Sequence, residues 1–185
     1  DRANQNESVK TRRPDLVVFV NGIPLVAIEL KKSSVNYENG IKQLEREQKK
    51  DEIPHLFKYI QLTIAANTNE ARYATMGTPL KFYSVWKEEE SQKAKETLKT
   101  MIGNREVSSL DMTLFALLSK KRLLRLIKHY ILFDKKVKKV CRHQQFFGIE
   151  KTLKRVEKIN DGIRAGGLIW HTQGSGKSLT MVMLA

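Results

Sequence analysis

The sequence predicts an α/β protein: a mixed sheet with flanking helices, then a second unit built around a nucleotide-type loop. Three features of the 185-residue chain lead there. Two apolar runs flank Asn21-Gly22, a helical stretch is followed by further strand-like runs, and Gly174-Ser175-Gly176-Lys177-Ser178 sits between an apolar run and an apolar helix start.

Leu16 to Val20 and Ile23 to Leu30 read as two strands, because Asn-Gly between apolar runs is a strong short-range hairpin signal. Val35 to Lys50 reads as a helix with Ile41 and Leu44 on its apolar side, ending before Pro54. Tyr59 to Ala66 and Leu80 to Trp86 each read as a strand, the latter after a Gly77-Thr78-Pro79 turn.

Beyond Lys87-Glu88-Glu89-Glu90 the character changes, and a boundary near residues 87 to 110 follows. Helix formers dominate from Lys93 to about Asp134, with Leu114, Leu117, Leu118, Leu124, Ile127, Tyr130 and Ile131 at the spacing of a packing face. Lys135 to Arg142 reads as a basic connector, and Gln144 to about Asp161 as an amphipathic helix. Gly166 to Trp170 then reads as a short strand before the loop. The organisation expected is residues 1–90, 91–141 and 142–185.

Composition narrows the function classes. With 41% hydrophobic residues the chain can bury a core, and no run approaches the roughly 20 apolar residues of a membrane span. The start Asp1-Arg2-Ala3-Asn4 has no basic-then-apolar export pattern, so a cytoplasmic protein with no membrane partner is expected. The single Cys141 excludes an internal disulfide or a multi-cysteine zinc site and reads as a small buried residue. Net charge is +14, and Lys120 to Lys158 holds 14 Lys or Arg against 3 acids. That concentration suits a polyanion through counterion release, although a solvated helix face is an equal reading of the segment alone.

Asp15 opens the first strand, while Glu29 and Lys31 lie two apart on the second and so share one sheet face. The turn folds these three charges together. Carboxylates with an adjacent ammonium suit phosphodiester cleavage: Asp15 and Glu29, with the Leu30 backbone carbonyl, would hold Mg2+, and Lys31 would face the attacking water and the scissile phosphate. A structural ion pair is the other reading of these residues alone.

At the far end, Thr172, Gly174, Ser175, Gly176, Lys177 and Ser178 have the composition of a phosphate-binding loop. Glycines let backbone amides curl round phosphate, Lys177 reaches the terminal phosphates of ATP, and Ser178 holds its Mg2+ at a helix N-terminus. His171 stands where the strict pattern has glycine.

Pro14-Asp15, thirteen residues, then Glu29-Leu30-Lys31 resembles the Pro-Asp…(Asp/Glu)-x-Lys motif of restriction-endonuclease-like nucleases. The stretch Arg13 to Lys31 is similar to the nuclease domain in the R subunit of type I restriction enzymes, as is Gly166-Gly167-Leu168-Ile169-Trp170-His171-Thr172-Gln173. In that family a Gln-x-x-x-Tyr motif on the next helix supports the site. Gln43 matches it, but Glu47 stands at the tyrosine position. Arg142-His143-Gln144-Gln145-Phe146-Phe147-Gly148 resembles the glutamine element of helicase superfamily 2 motors, which implies adenine reading by Gln145 with Arg142 as a second candidate. As a residue, Gln145 is equally a helix-start side chain.

The resemblance implies a restriction-endonuclease-like core, a helical connector and the start of a RecA-like motor lobe. It implies Mg2+ and ATP as cofactors, and double-stranded DNA with methylase and specificity subunits as partners. The seven residues after Ser178 hold no second acidic motif, so this stretch alone is expected not to hydrolyse ATP. Two rivals remain: a repair or recombination helicase whose hairpin is only structural, and a non-enzymatic DNA-binding adaptor built on residues 120–158.

Overall fold

The computed structural model describes residues 11–88, 92–103 and 105–185. The Asp1 to Asn4 start and Glu89-Glu90 of the acidic run, both used above, lie outside the described residues.

A four-stranded sheet, ordered β1-β2-β3-β4, is built from β1 (Leu16–Val20), β2 (Ile23–Leu30), β3 (Leu62–Ala66) and β4 (Ala71–Ala74). β1 and β2 form the expected antiparallel hairpin, with Asn21 and Gly22 at φ 50° and 79°. Both turn residues need positive φ, which Asn tolerates and Gly adopts freely. The register slips between Val18 and Phe19, where Phe19 faces Pro24. A proline cannot donate to the ladder, and a bulge accommodates it.

β2 and β3 run parallel, and the crossover between them carries α1 (Glu38–Glu47) and α2 (Pro54–Phe57). β3 and β4 are antiparallel, so the sheet is mixed. Alternation along β2 divides its side chains between two cores. Ala27 joins Ile41, Leu44, Phe57, Ile60 and Ala65 under α1, whereas Val26 and Ile28 join Leu62, Ile64 and Tyr73 on the other face. Glu29 therefore falls on the α1 face. A methyl group added at Gly40 would lie 3.3 Å from the Ala65 Cβ and 3.4 Å from the Glu29 Cγ. Glycine at this helix position, with Ala27 and Ala65 below, lets α1 settle close enough to cover a carboxylate.

The opposite face is covered by α4 (Ser109–Leu118), α5 (Lys120–His129) and α6 (His143–Val156), through Ala116, Leu117, Leu123, Leu126, Phe146 and Ile149. α3 (Gln92–Ile102) precedes them, and Gly103 at φ 75° ends it. α4 opens with a capping box: Ser108 Oγ accepts from Asp111 N at 3.2 Å, and the Asp111 carboxylate accepts from Ser108 N at 2.8 Å. Cys141 is fully buried and its thiol pKa is pushed up by desolvation, in keeping with an inert apolar role.

Several local expectations are corrected. The fourth strand is Ala71–Ala74 rather than Leu80 to Trp86, where Leu80–Phe82 form a 3-10 turn and only Ser84 bridges Tyr73. Pro79 starts that turn and the Glu45 carboxylate accepts from Leu80 N at 3.0 Å, drawing the chain off the ladder. The helical reading to Asp134 overruns, because α5 stops at Tyr130 and β5 (Ile131–Asp134) begins. The basic connector contains β6 (Val137–Val140), paired antiparallel with β5 across Lys135 and Lys136, both at positive φ. The helix expected to Asp161 ends at Val156, and a two-stranded ribbon follows, β7 (Ile159–Asn160) with β8 (Ile163–Arg164).

Gly166 to Trp170 forms no strand among the described residues, and Leu168 and Trp170 are exposed. An apolar run without a neighbouring strand has nothing to pair with. The last element is α7 (Lys177–Leu184). No helix among the described residues is long and apolar enough to cross a membrane.

Candidate functional site

The hairpin register places Leu16 opposite Ile28, which sets Asp15 beside the end of β2. Its carboxylate accepts from the Leu30 amide at 2.8 Å. The Leu30 carbonyl is the group expected to face a metal, and in the structure it is the Leu30 amide that engages the neighbouring acid. Glu29 is 1% exposed. One of its oxygens accepts from Lys31 Nζ at 2.7 Å, and the other, Oε2, is buried with no hydrogen-bond partner among the described residues.

Burial is the largest influence on Glu29 and raises its pKa; the Lys31 hydrogen bond opposes this, and the charges of Asp15 and Glu47 add to it. A carboxylate left with a bare oxygen costs about 1–3 kcal/mol in desolvation. Such an arrangement is a poor structural ion pair and a good seat for an external cation.

Lys31 Nζ also donates to Gln43 Oε1 at 2.9 Å, and Gln43 Nε2 donates to Glu47 Oε1 at 3.1 Å. Gln43 and Glu47 lie one helical turn apart on α1, so their contact follows from i, i+4 geometry. Glu47, 1% exposed, likewise keeps a buried Oε2 without a partner, and burial again leads the rise in its pKa. In sequence Glu47 stands out only as a departure from the tyrosine position. Its signal was present as an acid four residues after Gln43.

Glu29, Lys31 and Gln43 are thus joined by hydrogen bonds on the α1 face, and Asp15, exposed at the strand end on the Leu30 amide, lies near enough for its charge to act on Glu29. Among the described residues no group of three or more His, Cys, Asp or Glu is disposed to hold a metal ion. The carboxylates that could offer oxygen to a cation here are those of Asp15 and Glu29, each a neighbour of the other's charge. Mg2+ suits this arrangement, since it takes one or two carboxylates and keeps several waters.

The second constellation is at the other end. Gly174 and Gly176 adopt φ 76° and 87°, and Lys177 is the first residue of α7. Lys177 Nζ donates to the carbonyls of His171 and Thr172 at 3.1 and 3.2 Å, closing the loop on itself. Ser175 Oγ and His171 Nδ1 are buried without partners, while Thr172 and Ser178 are exposed.

Gln145, 2% exposed, ties the loop to α6. Its Nε2 donates to the Gly176 carbonyl at 2.9 Å and its Oε1 accepts from Arg142 N at 2.7 Å. Gln145 therefore occupies the helix-start position in this structure, with one amide hydrogen left over. Arg142 is exposed beside it.

Comparison with known proteins adds the context of these two sites. Residues 3–82 match the family model described as type I restriction enzyme R protein N terminus, and residues 144–185 match that of the SWI2/SNF2 ATPase. Relatives align over nearly the whole chain. It is 32% identical to the MjaIXP type I restriction enzyme endonuclease subunit of Methanocaldococcus jannaschii, covering 97% of this chain and 18% of the relative. It is also 32% identical to the HindI endonuclease subunit of Haemophilus influenzae, covering 94% and 17%. The SauCOLORF180P endonuclease subunit of Staphylococcus aureus is 26% identical over 94% of this chain and 17% of its own.

A mixed α/β region of R-protein type followed by an ATPase segment defines the class. The chain belongs to the R (endonuclease) subunit family of type I restriction enzymes and corresponds to its N-terminal region. It spans about a sixth of the length of the curated relatives it matches.

Proposed function

We propose that this region supplies the DNA-cutting site and the ATP-binding entry of a type I restriction endonuclease. The parent protein would act in the cytoplasm with methylase and specificity subunits, cleaving double-stranded DNA while ATP hydrolysis drives translocation. Residues 1–90 would form a restriction-endonuclease-like core, 91–141 a helical and basic connector, and 142–185 the beginning of a RecA-like superfamily 2 motor lobe.

The observation carrying the reading is the bare buried oxygen of Glu29, held next to Asp15 and Lys31. Asp15 and Glu29 would hold Mg2+, with the Leu30 carbonyl as an additional donor. The ion would acidify bound water and neutralise charge on the phosphate. Lys31 would offset charge developing on the scissile phosphate and orient the attacking water, and Gln43 would keep its ammonium in place. At the second site the loop amides around Thr172, Gly174, Ser175 and Gly176 would cradle phosphate. Lys177 would reach the terminal phosphates, Ser178 would hold the nucleotide's Mg2+, and Gln145 and Arg142 would border the base.

The test uses the full-length protein in its assembled complex. Asp15→Ala and Lys31→Ala should each abolish DNA cutting and leave ATP turnover unchanged. Cutting that survives both changes overturns the nuclease reading and leaves the hairpin structural. Salt-sensitive DNA binding without cleavage under any divalent metal would favour an adaptor built on residues 120–158.

A further inference from the structure

Glu47 occupies a place that fold stability alone does not explain. It is the last residue of α1, where the helix dipole disfavours negative charge. It is 1% exposed, and one of its oxygens is buried without a partner. An apolar side chain there would be buried at no electrostatic cost. Among the described residues its side chain accepts from Gln43 Nε2 at 3.1 Å, with Arg46 and Arg12 as nearby positive charges.

That contact has a directional consequence. A glutamine amide carries a donor end and an acceptor end, and which end faces which neighbour is set by its partners. Glu47 can only accept while ionised, so it takes the NH2 end. The carbonyl end is then turned to Lys31, whose ammonium can only donate, at 2.9 Å. Lys31 in turn donates to Glu29 at 2.7 Å. The row Glu47, Gln43, Lys31, Glu29 alternates acceptor, donor and acceptor, donor and acceptor without a mismatch. With the amide reversed, NH2 would face the ammonium and the carbonyl would face the carboxylate, two repulsive contacts in a buried place.

We propose that Glu47 is a positioning residue of the cutting site, fixing the polarity of the Gln43 amide and through it the seat of the Lys31 ammonium. This rests on the nuclease reading of Asp15, Glu29 and Lys31. Glu47 touches neither phosphate nor metal on this view. It replaces the family's tyrosine by a group that dictates one amide orientation by charge, whereas a hydroxyl can both donate and accept.

The experiment compares DNA cutting and ATP turnover by the full-length protein, in its assembled complex, as wild type, Glu47→Gln, Glu47→Leu, Gln43→Leu and the double Gln43→Leu/Glu47→Leu. Glu47→Leu should slow cutting about 10- to 100-fold, the scale expected when a catalytic group shifts by about an ångström. ATP turnover should be unchanged, which also reports that the chain is folded. Glu47→Gln can still accept from the Gln43 NH2 but, like a hydroxyl, no longer excludes the reversed amide, so it should cut at a rate between wild type and Glu47→Leu. In the Gln43→Leu background the second change should cost nothing more, because Glu47 acts only through that amide.

Wild-type cutting by Glu47→Leu overturns the proposal, as does Glu47→Gln being as slow as Glu47→Leu. A double variant that loses the product of the two single losses overturns it too, since it would make Glu47 an independent contributor. Asp15→Ala serves as the reference. If it still cuts, the nuclease reading itself has failed; if it is dead while the Glu47 series is unaffected, only the positioning role has.

Discussion

Gln145 donates its side-chain amide to the Gly176 carbonyl at 2.9 Å, joining the start of α6 to the residue that precedes α7. The loop glycine is needed twice over. It sits at φ 87°, and a Cβ there would meet Gln145 Nε2 at 2.6 Å.

Gly176→Ala should therefore weaken ATP binding at least tenfold and destabilise the loop by roughly 1–2 kcal/mol, the usual cost of a side chain in left-handed backbone. Adding Gln145→Ala relieves the clash but not the backbone strain, so recovery should be partial. Nucleotide titration of the single and double variants checks this, and full recovery would contradict the strain component.

Lys177→Ala should abolish ATP hydrolysis by the full-length protein with little change in melting temperature. The ammonium is exposed and, among the described residues, its hydrogen bonds are to the carbonyls of His171 and Thr172. A change in surface charge of this kind stays within about 0.5 kcal/mol. Calorimetry beside an ATPase assay separates the two effects.

Magnesium alone should raise the melting temperature, because an ion that binds only the folded state stabilises it by about 2.7 kcal/mol at a hundredfold excess over its dissociation constant. Asp15→Ala should blunt that rise while leaving the metal-free fold close to wild type. An equal magnesium response in both proteins would remove Asp15 from the ion's surroundings.

Asp111 gives a pH-dependent prediction remote from both sites. The Arg105 guanidinium holds its carboxyl well below the usual range, aided by Ser108 hydrogen bonds and opposed by partial burial. Its folded pKa is depressed, so its contribution is full above the unfolded value, 3.8 on the ordinary scale, and is lost as pH falls through the folded value. Asp111→Ala should cost about 1 kcal/mol at neutral pH through the broken capping box, and the difference from wild type should vanish in strong acid. Thermal melts at neutral and acid pH test the sign.

Gly40→Val should cost about 1–3 kcal/mol, the range for overpacking a filled interior, because its side chain meets Ala65 and Glu29. It should also slow cutting, since α1 carries Gln43 and covers Glu29. A stable variant with normal cutting would show that the helix can lift without disturbing the acid.

The hairpin was legible because Asn21-Gly22 and the apolar runs agree with one another, and its register alone predicts that Asp15 meets the end of β2. β4 was not legible. Ala71-Arg72-Tyr73-Ala74 lacks β-branched residues, and it is a strand because β3 offers it a ladder. Leu80 to Trp86 has strand-like composition, but Glu45 and Pro79 hold its start in a tight turn. The β5–β6 hairpin was hidden by lysine: Lys135 and Lys136 take positive φ where Asn and Gly would have announced a turn. At the site, charge spacing revealed the acids and Lys31, whereas the partnership of Gln43 with Glu47 needed the helix to be placed.

Two contacts made outside either site bear on how the ends of the chain communicate. Tyr73 Oη donates to the Cys141 carbonyl at 2.8 Å, and Thr75 Oγ1 donates to the Lys138 carbonyl at 2.6 Å. The second fastens β6 and the first the residue that follows it to β4 and its continuation, and one residue after Cys141 comes Arg142, whose amide is gripped by the side chain that also grips Gly176. The glycine-rich loop is thus tied to the first sheet through Gln145, Arg142 and the hydrogen bond from Tyr73 to Cys141.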